Sequence, residues 1–220
     1  MAAEFILTNA SIIDGSGLAP YKGHIHVAGG EIKAVVRERS NLPDDAIEII
    51  DLKGQTVMPG LIDAHCHISF DEPLSNDELF FHRREGLAAI IAGTNALKVL
   101  QSGVTSFFDA DSLYNVGVDL RDAIESGIIS GPRMAVGGNA LITSAGGTAG
   151  RLIPDEGKRG YGAVVTSKDD IVLEVRRQIK MGVDWIKIHV TGMVPRQTYQ
   201  GELQAWSLNE LKIACDTAHE

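Results

Sequence analysis

The sequence predicts an α/β protein, and specifically a (β/α)8 barrel of which about four β/α units are present. Two observations carry this prediction. Roughly the first sixty residues read as short strands and turns alone, whereas from residue 61 each strand-like run precedes a helix-like run, as in parallel βαβ units. A closed barrel needs eight units and typically about 250 residues, and this chain has 220 in all. We therefore expect two domains, a small β domain at 1–58 and half a barrel at 59–220.

Alternating apolar residues predict the strands of the first domain. Ala28, Gly29 and Gly30 supply a hairpin turn between the second strand and the third. The predicted strands are 5–13, 24–27, 31–36 and 46–51.

The second domain shows helical periodicity between its apolar runs. Ser167 with Asp170, and Ser207 with Glu210, have the spacing of capping boxes at helix starts. A glycine-rich loop is expected at 139–166. The predicted strands are 61–68, 104–109, 133–137 and 183–190, and the predicted helices are 76–101, 116–129, 167–181 and 207–220.

Composition narrows the function classes. The formal net charge of −9 argues against nucleic acid as the main partner. Two cysteines, Cys66 and Cys215, are too few for a disulfide framework and favour a reducing compartment. The chain shows no signal-peptide pattern and no apolar run long enough to span a bilayer. These features predict a cytoplasmic protein without a membrane partner.

The strongest chemical signal is the run Pro59–His67, which contains His65 and His67 two residues apart. Alternate residues of a strand share a face, so both imidazoles and Asp63 are expected on one side, with Cys66 on the other. Active sites of this barrel lie at the carboxyl ends of the strands. Neutral imidazole is a common ligand of zinc and similar metals. The pair therefore predicts a metal site at the end of the first barrel strand.

A second His-x-His pair, His24 and His26, lies on the predicted hairpin of the first domain. It lacks the Pro-Gly and barrel-strand context of the other pair. We expect both residues to be solvated strand residues without a metal role.

The run 57–67 resembles the entry strand of the amidohydrolase superfamily, whose members place part of a small β-sandwich before a metal-dependent hydrolase barrel. The block 103–109 resembles the second barrel strand of that superfamily, and the blocks at 121–133 and 184–188 resemble the branch that contains imidazolonepropionase-like and Xaa-Pro dipeptidase-like enzymes. The resemblance covers nearly the whole chain. It implies that 1–58 is part of a composite β-sandwich and that 59–220 is the first half of the barrel. It also implies that Lys187, on the fourth strand, is carboxylated and bridges two metals.

The residues around Lys187 are compatible with that role. Trp185, Lys187 and His189 share one face of the predicted strand, toward the barrel interior, opposite Ile186 and Ile188. An inward lysine is costly unless its charge is paired or removed. Reaction with CO2 would replace the cation by an anionic carbamate with two oxygen ligands. The alternative is a lysine paired with a carboxylate inside the barrel.

Several further residues are candidates for substrate contact. His189 could contact substrate or form a hydrogen bond at the barrel rim. Arg196 and Tyr199 could recognise a substrate carboxylate or carbonyl, or be solvated loop residues. Thr148 stands where related sequences often carry histidine, and Met193 where they often carry glycine. Both departures lie where the substrate would bind, so they bear on the identity of the substrate more than on metal binding.

Two residues near the histidine pair have structural interpretations. Asp109 ends the second predicted barrel strand, and we expect a structural role for it. Cys66 is expected to be a small core residue and not a nucleophile.

The resemblance implies two divalent metals per complete site, zinc or else cobalt, manganese or iron, together with CO2 for the lysine. The general-base aspartate and two further histidines would come from strands that this chain does not contain. We accordingly expect this chain alone to be inactive. The partners are expected to be a small-molecule substrate and either identical subunits or a complementary chain that supplies the second half-barrel.

Three functions stay open from the sequence. The first is a hydrolase of an amide, dipeptide, carbamate or urea-like C–N bond with two metals. The second is a deaminase-type amidohydrolase with one metal, against which the inward Lys187 speaks. The third is a scaffold that kept the fold and lost the metal, against which both the histidine pair and Lys187 speak.

Overall fold

The computed structural model describes residues 4–43, 48–147, 152–157, 160–193, 198 and 201–220. The chain divides into two compact units, Met1–Gly60 and Leu61–Glu220. No helix in these described ranges is both long and apolar enough to cross a membrane.

The described part of the first unit is one twisted sheet. Its order is β3-β2-β1-β4, with β5 also pairing with β1. β1 is antiparallel to β2 and parallel to β4 and β5. Ala10, Ile12 and Ile25 form its buried cluster. The strands are β1 (Glu4–Ile12), β2 (Tyr21–Ala28), β3 (Glu31–Val36), β4 (Glu48–Asp51) and β5 (Thr56–Val57).

Three of the strands predicted for this unit are confirmed, with ends that shift by up to three residues. The predicted hairpin turn is also present, because Gly29 and Gly30 both have positive φ, at 64° and 79°. A two-residue hairpin turn of type I′ requires this conformation at both central positions. The start of the fourth predicted strand, at 46–47, lies outside the described residues, and β4 occupies the remainder.

The second unit contains a parallel three-stranded sheet of order β6-β7-β8. Its strands are β6 (Leu61–Cys66), β7 (Val104–Asp109) and β8 (Arg133–Val136), connected through α1 (Glu85–Gln101) and α2 (Val116–Glu125). Ala88, Ala92 and Ala96 of α1 are fully buried in the cluster that contains Phe107 of β7. This βαβαβ arrangement confirms the predicted α/β class.

The long predicted helix 76–101 is wrong as a single element, because the chain forms a π-helical turn at Glu78–His82 before α1 begins. Arg83, between them, is 7% exposed, and its guanidinium donates to both carboxylate oxygens of Glu78. The carbonyl of Arg83 accepts a hydrogen bond from the Tyr114 hydroxyl at 2.8 Å. Arg84 then adopts an extended conformation. These tertiary contacts of Arg83 replace the continuous helical ladder.

The remaining elements follow the glycine-rich segment. They are β9 (Leu141–Ile142), β10 (Ala163–Val164), α3 (Lys168–Met181), β11 (Thr191–Met193), β12 (Glu202–Gln204) and α4 (Leu208–His219). β9 pairs with β10 in parallel, so the predicted loop 139–166 contains two short strands.

Both predicted helix caps are present. Ser207 and Glu210 form a complete capping box at α4. Ser167 accepts from the Asp170 amide at α3, and the Asp170 carboxylate accepts from the amide and the hydroxyl of Thr166.

The fourth predicted barrel strand, 183–190, is wrong as a continuous strand. Its amides at Asp184 and Trp185 both donate to the Val136 carbonyl at the end of β8. The chain turns away after β8, where Gly138 has a φ of 60°. Pairing resumes only at Leu141, which bonds with the Lys187 carbonyl and the His189 amide. The segment therefore bonds first to the end of β8 and then to β9, so it does not form one continuous strand.

Candidate metal centre

The carboxyl end of β6 positions the histidine pair through a local irregularity. β6 pairs Asp63 with Phe107 but Cys66 with Asp109, so it gains one residue relative to β7. At this irregularity the Asp63 side chain accepts the His65 amide on Oδ1 at 3.0 Å, in place of a bond within the ladder. The strict alternation predicted for 61–68 is therefore interrupted, yet His65 and His67 still meet.

The two imidazoles face each other through Nε2 atoms 3.2 Å apart. Their ring centroids are 5.0 Å apart, and His67 also stacks on Phe70. Two nitrogen ligands on one tetrahedral zinc lie about 3.3 Å apart, given zinc–nitrogen bonds of about 2.0–2.1 Å. The separation of these Nε2 atoms fits a shared divalent metal.

Asp111 lies directly behind the pair, just beyond the end of β7. It is 3% exposed. Its Oδ1 accepts from His67 Nδ1 at 3.0 Å, and its Oδ2 accepts from His189 Nε2 at 3.0 Å. One buried carboxylate therefore joins His67, just past the end of β6, to the segment that carries Lys187.

These contacts shift the pKa values of the group. Burial alone would raise the pKa of Asp111, but hydrogen bonds from His189 and His67 outweigh it and hold that pKa well below the usual range. The same hydrogen bond from His67 to Asp111 raises the pKa of His67. Burial, and then the positive charge of Lys187, lower the pKa of His65. His65 is thereby kept in the neutral form that can bind a metal.

Lys187 is half-buried and lines a cavity with Phe108, Ala135 and Trp185, and also with its neighbours Ile186 and Ile188. Its charge acts on His65, so it lies close enough to affect a cation bound there. A lysine cation would repel such a metal, whereas a carbamate would attract it.

Asp109 and Cys66 have environments that differ from that of Asp111. Asp109 is fully buried, and burial raises its pKa to about 7. Its Oδ1 accepts the Ile68 amide, while Oδ2 has no hydrogen-bond partner among the described residues. Burial also raises the pKa of the Cys66 thiol to about 11, which disfavours the nucleophilic thiolate.

Of the three candidates for substrate contact, only His189 lies among the described residues. His189 is held by Asp111, and its carbonyl accepts from the Trp206 indole at 2.9 Å. Arg196, Tyr199 and Thr148 lie outside the described residues.

The other His-x-His pair is not solvated as predicted, because His26 is only 9% exposed. Its Nε2 lies 2.9 Å from Glu4 Oε1. His26 is thus a residue of the sheet interior, paired with one carboxylate.

In the described part of the chain, no three side chains of His, Cys, Asp or Glu converge as a metal-binding group. The structure brings together His65 and His67 as the sequence spacing predicts, with Lys187 nearby. Sequence reasoning missed Asp111. The available signal was a second aspartate two residues beyond Asp109, at the strand end where the histidines were already expected.

Comparison with known proteins places these features in a family. Residues 56–220 match the sequence model of the Amidohydrolase family. Ochratoxinase from Aspergillus niger is 27% identical over 230 aligned residues, covering 94% of this chain and 46% of that protein. A crystallised amidohydrolase superposes with a TM-score of 0.82 at 25% identity, covering 99% of this chain and 54% of its own. A Xaa-Pro dipeptidase crystallised with methionine in its active site gives 0.76 at 26% identity, with coverages of 99% and 54%.

The chain spans about half the length of the relatives it matches. The family match covers more than half of this chain, including every strand of the parallel sheet and both histidines of the pair. The protein therefore belongs to the Amidohydrolase family.

Proposed function

We propose that the protein is a metal-dependent hydrolase that cleaves a C–N bond, with His65, His67 and a carboxylated Lys187 among its metal ligands. The observation that carries the proposal is the 3.2 Å separation of the two Nε2 atoms at the carboxyl end of β6. A divalent metal held there, with zinc, cobalt, manganese and iron as candidates, would lower the pKa of a water molecule and polarise the scissile carbonyl.

Each of the three proposed metal ligands has a defined part in this proposal. His65 and His67 would hold the metal through the Nε2 lone pairs of their neutral rings. Attack of the Lys187 amine on CO2 would form an N–C bond and release a proton to solvent, and the resulting carbamate would supply anionic oxygen ligands for metal. The charge reversal at Lys187 turns a repulsive neighbour of His65 into an attractive one.

The remaining elements of the proposal concern the whole protein. We propose a (β/α)8 barrel to which residues 59–220 contribute about four β/α units, and a composite β-sandwich to which 1–58 contribute. The other metal ligands and the general-base aspartate come from strands beyond the chain described above, within the same protein or in a complementary chain. Association with identical subunits is also proposed.

The proposed substrate is a small molecule with an amide, dipeptide, carbamate or urea-like C–N bond. His189, Arg196 and Tyr199 are the proposed substrate-side residues. Cys66 and Cys215 are free thiols, which fits the reducing cytoplasm that we propose as the compartment.

The decisive experiment measures metal and carbamate together in the protein as its gene encodes it. The protein is purified with 13C-bicarbonate, and its metal content and carbamate 13C signal are recorded. We expect about two metals per chain and one carbamate. Lys187→Ala should lose the carbamate and most of the amidase activity. Lys180→Ala, at an exposed lysine near the end of α3, should keep both.

The other outcomes select other functions. One metal without a carbamate would support the deaminase-type alternative. A native protein that binds no metal and hydrolyses no amide or carbamate would leave the non-catalytic scaffold as the remaining function.

A further inference from the structure

Asp111 connects two parts of the second unit that are far apart in sequence. Its Oδ1 accepts from His67, 44 residues earlier, and its Oδ2 accepts from His189, 78 residues later. Both distances are 3.0 Å, and the carboxyl side chain is only 4% exposed. The Asp111 carbonyl also lies 3.3 Å from His67 Nδ1.

The chemistry of these contacts selects one tautomer of His67. A carboxylate has no hydrogen to donate, so the facing nitrogen of each imidazole must carry one. In its neutral form His67 therefore carries its hydrogen on Nδ1, which leaves the Nε2 lone pair free. That same Nε2 faces His65 Nε2 at 3.2 Å, where the metal is proposed. Asp111 thus holds His67 in the tautomer that a metal requires.

The loop that carries Asp111 is fixed to the β6 end on several sides. The Ala110 amide donates to the Cys66 carbonyl at 2.8 Å, and the Ile68 amide donates to Asp109 Oδ1 at 3.0 Å. The Ser112 amide donates to the Gly138 carbonyl. These bonds leave little freedom for Asp111 to follow a moving histidine.

His189 is fixed equally well on the other side of Asp111. Its amide donates to the Leu141 carbonyl, and its carbonyl accepts from Trp206, which is 2% exposed. His189 lies only two residues beyond Lys187. A rigid link from His67 to His189 therefore also sets the distance from His67 to the lysine segment.

We propose that Asp111 is a positioning residue that locks the His67 tautomer and holds the β6 histidines in register with the Lys187 segment through His189. The part of this proposal that concerns metal rests on the proposed function. The tautomer of His67 is independent of that function, because it exists in the metal-free protein.

The first test reads the tautomer directly. The metal-free protein, as its gene encodes it, is labelled with 15N-histidine, and the two nitrogens of His67 are assigned by comparison with His67→Gln. At a pH above the raised pKa of His67, we expect a protonated Nδ1 and an unprotonated Nε2 in the wild type. In Asp111→Ala only the backbone carbonyl of residue 111 can still accept from Nδ1, so the share of His67 with its hydrogen on Nε2 should rise. A wild-type His67 with its hydrogen on Nε2 overturns the proposal without any need for a variant to fold.

The second test measures metal affinity by competition with a chelator, using zinc alone as the probe. Asp111→Asn should weaken zinc binding by about 10- to 100-fold, the usual effect of removing a hydrogen-bond partner of a ligating histidine. The matched control is Asp77→Asn, since Asp77 contacts His82 at 3.0 Å with both side chains largely exposed. That control should keep the wild-type affinity.

The two proposals fail in different ways. Equal zinc affinities for the wild type and a folded Asp111→Asn would overturn the positioning role while the hydrolase stands. A wild-type protein without zinc affinity would overturn the metal-dependent function, and the His67 tautomer would then decide the role of Asp111 by itself.

Discussion

Two aspartates at the end of β7 differ in their proton affinity although only one residue separates them. Asp111 accepts hydrogen bonds from two histidines, which hold its pKa well below the usual range against the effect of burial. Asp109 is also buried but has a single amide partner on Oδ1, so its pKa rises to about 7. The number of hydrogen-bond donors, and not depth alone, decides which carboxyl is charged.

Replacing Asp109 by Asn should remove a pH dependence of stability. In the unfolded chain an aspartate has a pKa of about 3.9. A carboxyl whose pKa is raised in the folded state stabilises it fully below about pH 4, and this contribution is lost as pH rises through about 7. Between those pH values the metal-free wild type should lose about 2–4 kcal/mol of unfolding free energy relative to Asp109→Asn. Urea denaturation across the pH range measures this. Asp119→Asn, on the exposed side of α2, is the control, and an equal pH slope in wild type and Asp109→Asn would contradict the prediction.

Gly147 should matter because it lies against His189. Its φ is 74°, and a Cβ there would lie 2.6 Å from His189 Nδ1. Gly157 has a similar φ of 82° but no atom of the described residues within 4 Å. Both alanine variants incur about 1–2 kcal/mol of left-handed strain. Only Gly147→Ala should also displace His189 and weaken zinc binding, on the order of a few-fold. Equal zinc affinities in the two variants would show that His189 need not stay in place.

At the scale of single residues, the sequence predicts the histidine pair of the site but not the link through Asp111. Two histidines at i and i+2 are visible as a pair because strand geometry is local. The link through Asp111 joins residues 44 and 78 positions away, so no local pattern can reveal it. Metal ligation by the pair, and by Lys187, stays a prediction.

At the scale of elements, the two helices that cover the parallel sheet use glycine differently. Gly93 of α1 has room for a side chain, because a Cβ at this position would lie 3.8 Å from its nearest neighbour, Ile129. Gly117 of α2 lies against the sheet, where a Cβ would be 2.5 Å from Asp109 Oδ2 and 3.0 Å from Val136. α2 can approach the end of β7 only because position 117 has no side chain.

Alanine substitutions at these two glycines should therefore have opposite signs. Gly93→Ala should stabilise the fold by about 0.5–1 kcal/mol, since alanine loses less backbone entropy than glycine in a helix. Gly117→Ala gains the same propensity but should destabilise by about 1–3 kcal/mol, because the overpacked methyl group displaces α2 or Asp109. Chemical denaturation of both variants measures the difference. Stabilisation by Gly117→Ala would mean that α2 moves freely against the sheet.

The elements that the sequence predicts well are those set by local signals. β7 and β3 have the predicted bounds, because alternation and flanking turn residues define them. The segment 183–190 has strand-like residues, but its ladder depends on where β8 ends and how Gly138 turns. The break before α1 depends on the buried Arg83 and its partners. Such tertiary contacts override local propensity.

At the scale of the whole molecule, the described residues of the second unit leave one face of the parallel sheet exposed. Ile62 is 74% exposed and Trp185 is 64% exposed. Phe108 lies between them, in contact with Trp185 and lining the same grooves. Contiguous exposed apolar surface of this kind usually marks an interaction surface or a site of aggregation. In a closed barrel this face would be interior.

The 220-residue polypeptide, expressed by itself, should therefore self-associate through this face. Ile62→Lys places a charge in the apolar patch, so it should lower both the weight-average mass in analytical ultracentrifugation and the fluorescence of a bound apolar dye. Ile32→Lys is the matched control, because Ile32 is 66% exposed on β3 and belongs to the other unit. Single exposed apolar residues are common on protein surfaces, so the control should change neither value. If both lysine variants behave alike, the sheet face is not the contact, and association arises elsewhere on the chain.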